Sequence, residues 1–285
     1  MNVTIPFLDP DLISRMEAAA VATARDLLTG RRILPVEGPF GPGFTTFELG
    51  NDDLRHHDNF HDAITVVSRP LSVPMIFRRF VLSRRQVAAH LEHGQPLDLT
   101  PVRNATMAVT LREEELVYRG APELGQAGLA TAEGRNHLEG GDWESVEQVL
   151  KDVLAAVTLL DEQGYRGPYA LVLAPRLYNS LFRRYPDGSD LVQIEHLKSL
   201  CTAGIYKTQI EGALLLTPEA GTLLIGEDLH VDYTIPDPTH FNFAIKESLV
   251  LKIDAPGAIC TIAPAGMAAP KEQDDSEVGR HPSRS

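Results

Sequence analysis

The chain has 285 residues, 43% of them hydrophobic, and a formal net charge of -13. That is enough apolar material for a sizeable core in one large domain or two smaller ones, while the acidity argues against a general affinity for nucleic acid or anionic membrane, both of which need a surplus of Lys and Arg. Cys201 and Cys260 are too few for a disulfide scaffold and lack CxxC spacing, so reduced thiols in a cytosol are expected. The first seven residues show no basic, apolar export signal, and no segment approaches the ~20 apolar residues of a membrane span.

Asp9-Pro10-Asp11 predicts a helix start, and Leu12, Ile13, Met16, Ala20, Ala24, Leu27 and Leu28 recur at helical spacing until Gly30 stops the run. Residues 31–37 read as a short strand, 38–43 as a stiff Gly/Pro turn, and 44–50 as a second strand. Residues 63–67 and 71–77 read as extended segments broken by Arg69-Pro70. Proline in such runs suits edge strands, and an extended arm with open edges asks for pairing from a second chain. Residues 87–91 form a short helical turn. Asp98-Leu99-Thr100-Pro101 caps a long helix whose Met107, Val109, Leu111, Leu116 and Val117 spread over more than one face, as in a central spine. This helix ends in Glu113-Glu114-Glu115 and enters a turn hinged by Gly120, Gly125 and Gly128.

A further helix is predicted over 143–163, a buried strand over 169–173 and a helix from Pro175 to Leu181. The loop 185–190 is rich in turn residues, and 194–203 reads as helical. Three strands follow at 213–216, 223–225 and 229–233. Residues 241–253 alternate with period 2, as in a long half-buried strand, and 258–262 closes the fold. The remainder, 263–285, is rich in Ala, Pro, Ser and charge and is expected to be a disordered tail.

No catalytic constellation stands out. His56, His57 and His61 with Asp58 and Asp62 form the one cluster that suggests metal, but the spacing is not that of a helical HExxH site and the preceding Gly-Asn-Asp-Asp argues for a solvated loop. Consecutive Glu113, Glu114 and Glu115 cannot all face one ion on a helix, so surface charge and interface pairing are expected of them. Ser180 and Ser199 lack a nucleophile elbow. The 38–43 turn has prolines where a phosphate loop needs amides, and no Lys-Ser/Thr follows. These readings predict a protein that is not an enzyme, holds no metal or cofactor, and works through interaction.

The stretches 30–41, 70–80, 114–120, 128–129, 167–169 and 254–259 resemble, in sequence and in order, those of encapsulins, bacterial compartment shell proteins of the tailed-phage capsid fold. Gly30-Arg31-Arg32 with Val36-Glu37-Gly38-Pro39 and Gly41 resembles the family's post-helix signature. Pro70 to Phe80, Glu114 to Gly120 and Gly128-Leu129 resemble the arm, the end of the spine helix and the turn after it. Gly167-Pro168-Tyr169 and the stretch from Asp254 to Ile259 complete the series, and Gly167 to Leu181 with Ala258-Ile259-Cys260-Thr261 is most similar to myxobacterial shells.

The resemblance implies an α+β fold with peripheral domain, extended loop and axial domain. The implied divisions are 1–43 (N-terminal helix and start of the peripheral domain), 44–80 (extended loop), 81–132 (spine helix), 133–228 (axial domain), 229–262 (C-terminal strands of the peripheral domain) and 263–285 (tail, projecting outward). It further implies an icosahedral homo-oligomer in the cytoplasm enclosing a ferritin-like iron oxidase or a dye-decolorising peroxidase, with no nucleic acid or membrane as partner. A C-terminal targeting peptide on the cargo would lie in a luminal groove, carried over here to Leu27, Leu28, Arg31, Leu229, Val231 and Tyr233. Pro35 stands where relatives carry Asp, so a polar contact to cargo is missing there. Asp187, Gly188, Ser189 and Asp190 would rim a fivefold pore and favour cations. No flavin is expected, since the region near Gln86 lacks tryptophan. Two alternatives stay open: a prophage major capsid protein, less favoured because the chain opens on an amphipathic helix without a scaffolding segment, and a metal-dependent hydrolase built on His56, His57 and His61.

Overall fold

A computed structural model describes residues 9–50, 53–55, 65–183, 192–234 and 237–265, with the backbone alone for 53–55, 65 and 146. Helix α1 (Pro10–Leu27) starts as the sequence predicts: the Asp9 carboxylate accepts the Asp11 amide proton at 2.9 Å and Pro10 occupies the first turn. Leu12, Met16, Ala20 and Ala24, four residues apart, form its buried stripe. The strand expected over 31–37 is instead mostly one helical turn, α2 (Gly30–Ile33), followed by the short β1 (Val36–Glu37). The reason is tertiary: Glu114 accepts the amide protons of Thr29 at 2.9 Å and Gly30 at 3.0 Å, which satisfies donors that a helix start leaves free.

The arm is two short ladders, β2 (Thr46–Glu48) with β5 (Pro70–Ser72) and β3 (Asp53–Arg55) with β4 (Thr65–Val67). The segment expected over 71–77 divides at Pro74, which has no amide to give a ladder. Beyond it β6 (Met75–Ser83) leaves the arm and pairs with the long C-terminal strand in the main sheet. Helix α3 (Arg84–His93) is longer than the turn expected and ends at Gly94 in the left-handed region, φ 65°. The spine is α4 (Thr100–Tyr118), and the tight hairpin β7 (Gly120–Ala121) and β8 (Gln126–Ala127) follows it.

After β9 (Asn136–Glu139) come α5 (Val146–Glu162), β10 (Ala170–Leu173), α6 (Pro175–Ser180), α7 (Gln193–Leu200), β11 (Gly204–Lys207) and β12 (Ala213–Leu216). The strands predicted at 223–225 and 229–233 are one, β13 (Gly221–Tyr233), with register shifts around Glu227. β13 therefore runs across the division drawn at 228/229. β14 (His240–Ile253) and β15 (Ile259–Ala263) complete the chain.

Two sheets result. One has the order β1-β13-β14-β6 and the other β11-β10-β12-β15-β9. β15 thus joins the second sheet, away from β13 and β14, because its Cys260 and Ile262 pack into the α5 core while Ile259 faces the opposite way. The same alternation organises β10. Leu171 and Leu173 meet Val149, Val153 and Leu160 of α5, whereas Ala170 and Val172 meet Ile33, Val117, Leu223 and Leu249 in a core shared by both sheets. A third cluster seats α1 and α4 on the first sheet through Met16, Val102, Val109, Phe80, Phe243 and Ile245.

Candidate functional site

The last turns of α1 and the irregular stretch of β13 leave between them a groove of about 460 Å³. Val21, Ala24, Leu28 and Leu229 supply its apolar wall, and Arg25, Arg31, Arg32 and Asp228 its charges. Of the six residues carried over by resemblance, Leu28, Arg31 and Leu229 meet here. Leu27 is half-buried on α1 outside the lining, and Val231 and Tyr233 lie further along β13 against the α1/α4 core, where Tyr233 stands edge-on to Phe243 with ring centroids 5.5 Å apart. Val21, Ala24 and Arg25 were missed, although with Leu28 they fall at i, i+3, i+4 and i+7, the spacing of a single helix face. Asp228 carries no such signal, since the bulges of β13 place it.

Under the groove lies a buried ion cluster. Arg31 donates to both oxygens of Glu113, Nε to Oε1 at 2.7 Å and Nη2 to Oε2 at 2.9 Å, and Nη2 also donates to Glu247 Oε2 at 2.7 Å. Its Nη1 reaches outward to Asp228 Oδ1 at 2.6 Å. Neither Glu113 nor Glu247 has any exposed side-chain surface (0% each). Burial works against the guanidinium charge, but Glu113, Glu247 and Asp228 outweigh it and raise the Arg31 pKa. Glu247 is pushed up to about 9, first by burial and then by the negative charge of Glu113, with Arg31 pulling the other way. Its second oxygen, Oε1, finds no hydrogen-bond partner among the described residues.

The surface role expected of the Glu113-Glu114-Glu115 run holds for Glu115 alone, which pairs with Arg112 at 2.7 Å on the outside of the helix. Glu113 and Glu114 extend the buried α4 stripe of Val102, Ala105, Thr106, Val109 and Thr110 toward Val117, again at i+3 and i+4 spacing. Glu114 is kept in the interior by its bonds to Thr29 and Gly30 and by Thr208 Oγ1, which donates to it at 2.9 Å. Burial raises its pKa against the pull of these donors.

The Glu247 environment has a pH consequence. Because its folded-state pKa lies above the ordinary 4.5, the folded chain holds a proton that the unfolded chain has released. Stability from this group is complete below about pH 4.5 and declines as pH rises toward about 9, at up to about 1.4 kcal/mol per pH unit. Chemical denaturation between pH 6 and 9 should show that decline, and Glu247→Gln, which keeps the neutral shape, should flatten it. An unchanged slope in that variant would assign the pH dependence to other groups.

The loop Asp187, Gly188, Ser189, Asp190 and the histidines His56, His57 and His61 lie outside the described residues. Among the described residues, no group of three or more His, Cys, Asp or Glu is placed to hold a metal ion, and no helix is long and apolar enough to cross a membrane.

Comparison with known proteins decides the family. A family described as encapsulating protein for peroxidase matches residues 7–250. The type 1 encapsulin shell protein EncA of Myxococcus xanthus (strain DK1622) is 32% identical over 266 residues, spanning 89% of this chain and 92% of that protein. The chain belongs to the encapsulin family. A diheme-cytochrome-encapsulin shell fusion protein of Kuenenia stuttgartiensis is 30% identical over 261 residues, 87% of this chain and 72% of that protein. Among solved structures, a virus-like particle from Pyrococcus furiosus matches with TM-score 0.67 at 21% identity, covering 88% of this chain and 99% of that one. The capsid of Myoviridae phage XM1 matches at 0.52 and 13%, covering 81% and 89%. The expected tailed-phage capsid fold is therefore the fold of this encapsulin, and the α+β class holds with it. Its groove lies where the first helix meets the irregular stretch of β13.

Proposed function

We propose that copies of this encapsulin shell protein close into a hollow compartment in the cytoplasm and enclose an enzyme that docks in the α1/β13 groove through a C-terminal peptide, the shell subunit itself performing no catalysis. The observation that carries assembly is the outer edge of the four-stranded sheet. Among the described residues β6 has a partner on one side only, and Met75, Phe77 and Val81 on it are 57%, 55% and 47% exposed. An apolar row on an open edge is a liability for a lone chain and a contact for a closed assembly. Heterologous contacts whose rotations close give rings and then a sphere, and many weak contacts made together hold it.

The family description, encapsulating protein for peroxidase, supports a peroxidase as the enclosed enzyme. A ferritin-like iron oxidase, and with it iron storage, expected on equal terms from the sequence, becomes the second choice. Division of the subunit into peripheral domain, extended loop and axial domain, and a cation-favouring pore rimmed by Asp187, Gly188, Ser189 and Asp190, belong to the same proposal.

Docking is tested by co-expressing the shell with a fluorescent protein that carries the last residues of the enzyme encoded beside the shell gene. Fluorescence should co-sediment with the particles, and Leu28→Asp, which puts a charge on the apolar wall, should lower capture at least tenfold while particles still form. Equal capture by the variant would remove the groove from the account.

A further inference from the structure

A cleft of about 1080 Å³ lies between the last turns of α4 with the β7–β8 hairpin on one side and the end of β15 on the other. Ile210, Ile262 and Pro264 give it apolar surface, and Arg112, Arg119 and Arg135 line it with cations. Arg112 and Arg119 are seven positions apart at the end of α4, about 10 Å along one face. Each has exposed carboxylates for partners: Arg112 meets Glu115 at 2.7 Å and Glu123 at 3.2 Å, and Arg119 meets Glu211 at 3.6 Å. Such exposed pairs are weak and exchange readily. Arg135 is different. Its Nη1 donates to the Ala132 carbonyl oxygen at 3.1 Å, but its Nε is buried without a hydrogen-bond partner, and no acidic side chain pairs with it among the described residues. A guanidinium keeps its protons, so this donor calls for an acceptor.

The chain leaves the described fold from the same cleft. Ala263 and Pro264 line it, and the Ala265 amide donates to the Gly141 carbonyl oxygen at 3.0 Å, where the described residues end. Residues 266–285 lie outside the described residues. Their sequence begins with the apolar run Met267-Ala268-Ala269-Pro270 and then carries Glu272, Asp274, Asp275 and Glu277, four carboxylates in six positions. The seven steps from Ala265 to Glu272 span up to about 23 Å of extended chain, enough to pass along two turns of helix.

We propose that the acidic run 272–277 of the chain's own C-terminal segment folds back into this cleft, where its carboxylates engage Arg135 and compete for Arg112 and Arg119. Residues 267–270 lie on the apolar surface beside the exit. Arg135 sets the position, because a carboxylate on an unmatched donor displaces no earlier partner, and the guanidinium fork suits a carboxylate. The cleft is at the upper end of ligand-pocket size, too wide for a lone small anion and suited to a stretch of chain. Docked there, the segment clasps the seam between the spine helix and the five-stranded sheet, and the expected outward projection of the tail holds only beyond Glu277.

The test places Ser276→Cys in the acidic run and Glu211→Cys on the cleft of the full chain and joins them with a short bismaleimide. Cys201 and Cys260 are buried and stay out of the reaction. A denaturing gel with peptide mass spectrometry should show the link between positions 211 and 276 within one chain as the main product, and its yield should fall as salt is raised. Arg135→Gln should lower the yield roughly fivefold or more. Neutralising the run with Glu272→Gln, Asp274→Asn, Asp275→Asn and Glu277→Gln should do the same, and these changes lie outside the described fold, so a folding defect at Arg135 does not blur the result. No link, or a yield unchanged by the neutralised run, overturns the proposal. A link between two chains also overturns it, since the cleft would then hold the segment of a second copy. So does an equal yield from Ser276→Cys to Thr158→Cys, exposed on α5 against the Cys260 face of β15, because the segment would then have no preferred seat.

Discussion

Replacing Arg31 with methionine is expected to destabilise the subunit by about 3–5 kcal/mol, the range found when one partner of a buried ion pair is removed. Glu113 and Glu247 have no exposed side-chain surface and share this guanidinium, which supplies both of the Glu113 contacts and one to Glu247. Without it two carboxyl groups remain in the interior, and the Asp228 side chain loses its anchor at the groove edge. The loss should grow as pH rises, because acid protonates the stranded carboxylates and alkali does not. Arg31→Met combined with Glu113→Gln should recover much of the loss, since the double variant no longer strands a charged Glu113 and an amide is cheaper to bury than a carboxylate. Chemical denaturation followed by circular dichroism measures both. A cost below about 1 kcal/mol for the single variant would place it among exposed ion pairs and contradict the burial described here.

Gly120→Ala is expected to prevent folding or to cost more than about 3 kcal/mol, through backbone strain joined to a clash. Gly120 has φ +79°, and a Cβ there would stand 2.3 Å from the Gln126 carbonyl oxygen and 2.5 Å from the Gly128 nitrogen. Both neighbours are backbone of the β7–β8 hairpin, so neither can rotate away. A Cβ at Gly128 would meet the Gly120 nitrogen at 2.4 Å, so the two glycines are required by each other. Gly125 in the same turn is the control. It has φ +67° and open space around the missing Cβ, and Gly125→Ala should cost only about 1 kcal/mol. Equal effects of the two substitutions would mean that φ alone, and not the close approach, governs the turn.

Much of the fold was legible where local chemistry and periodicity agree. The Asp9 cap, the α1 stripe, the alternation at the start of β14 and the glycine turn at 120–128 are of this kind, whereas 247–251 of β14 are buried on both faces and not half-buried as expected. Family resemblance supplied the family and three of the eight residues that line the groove, Leu28, Arg31 and Leu229. What could not be read was set by partners far away in the chain. Residues 31–33 have the composition of a strand and become a helical turn because Glu114, more than eighty residues on, caps them. Glu113 and Glu114 look like a surface run until Arg31 and Thr208 are placed beside them. β9 and β11 are short edge strands whose Asn136, His137, Gly204 and Lys207 carry little β signal, and their neighbours in the sheet decide them. Arg25 and Asp228 reached the groove unannounced, one by a helix-face spacing that was readable and the other by a strand irregularity that was not.

Electron microscopy of the purified protein at physiological salt, with the mass taken by light scattering, addresses the central claim most directly. Closed, hollow particles of uniform diameter and megadalton mass are the predicted result. A population of monomers with the β6 edge open to solvent would contradict it.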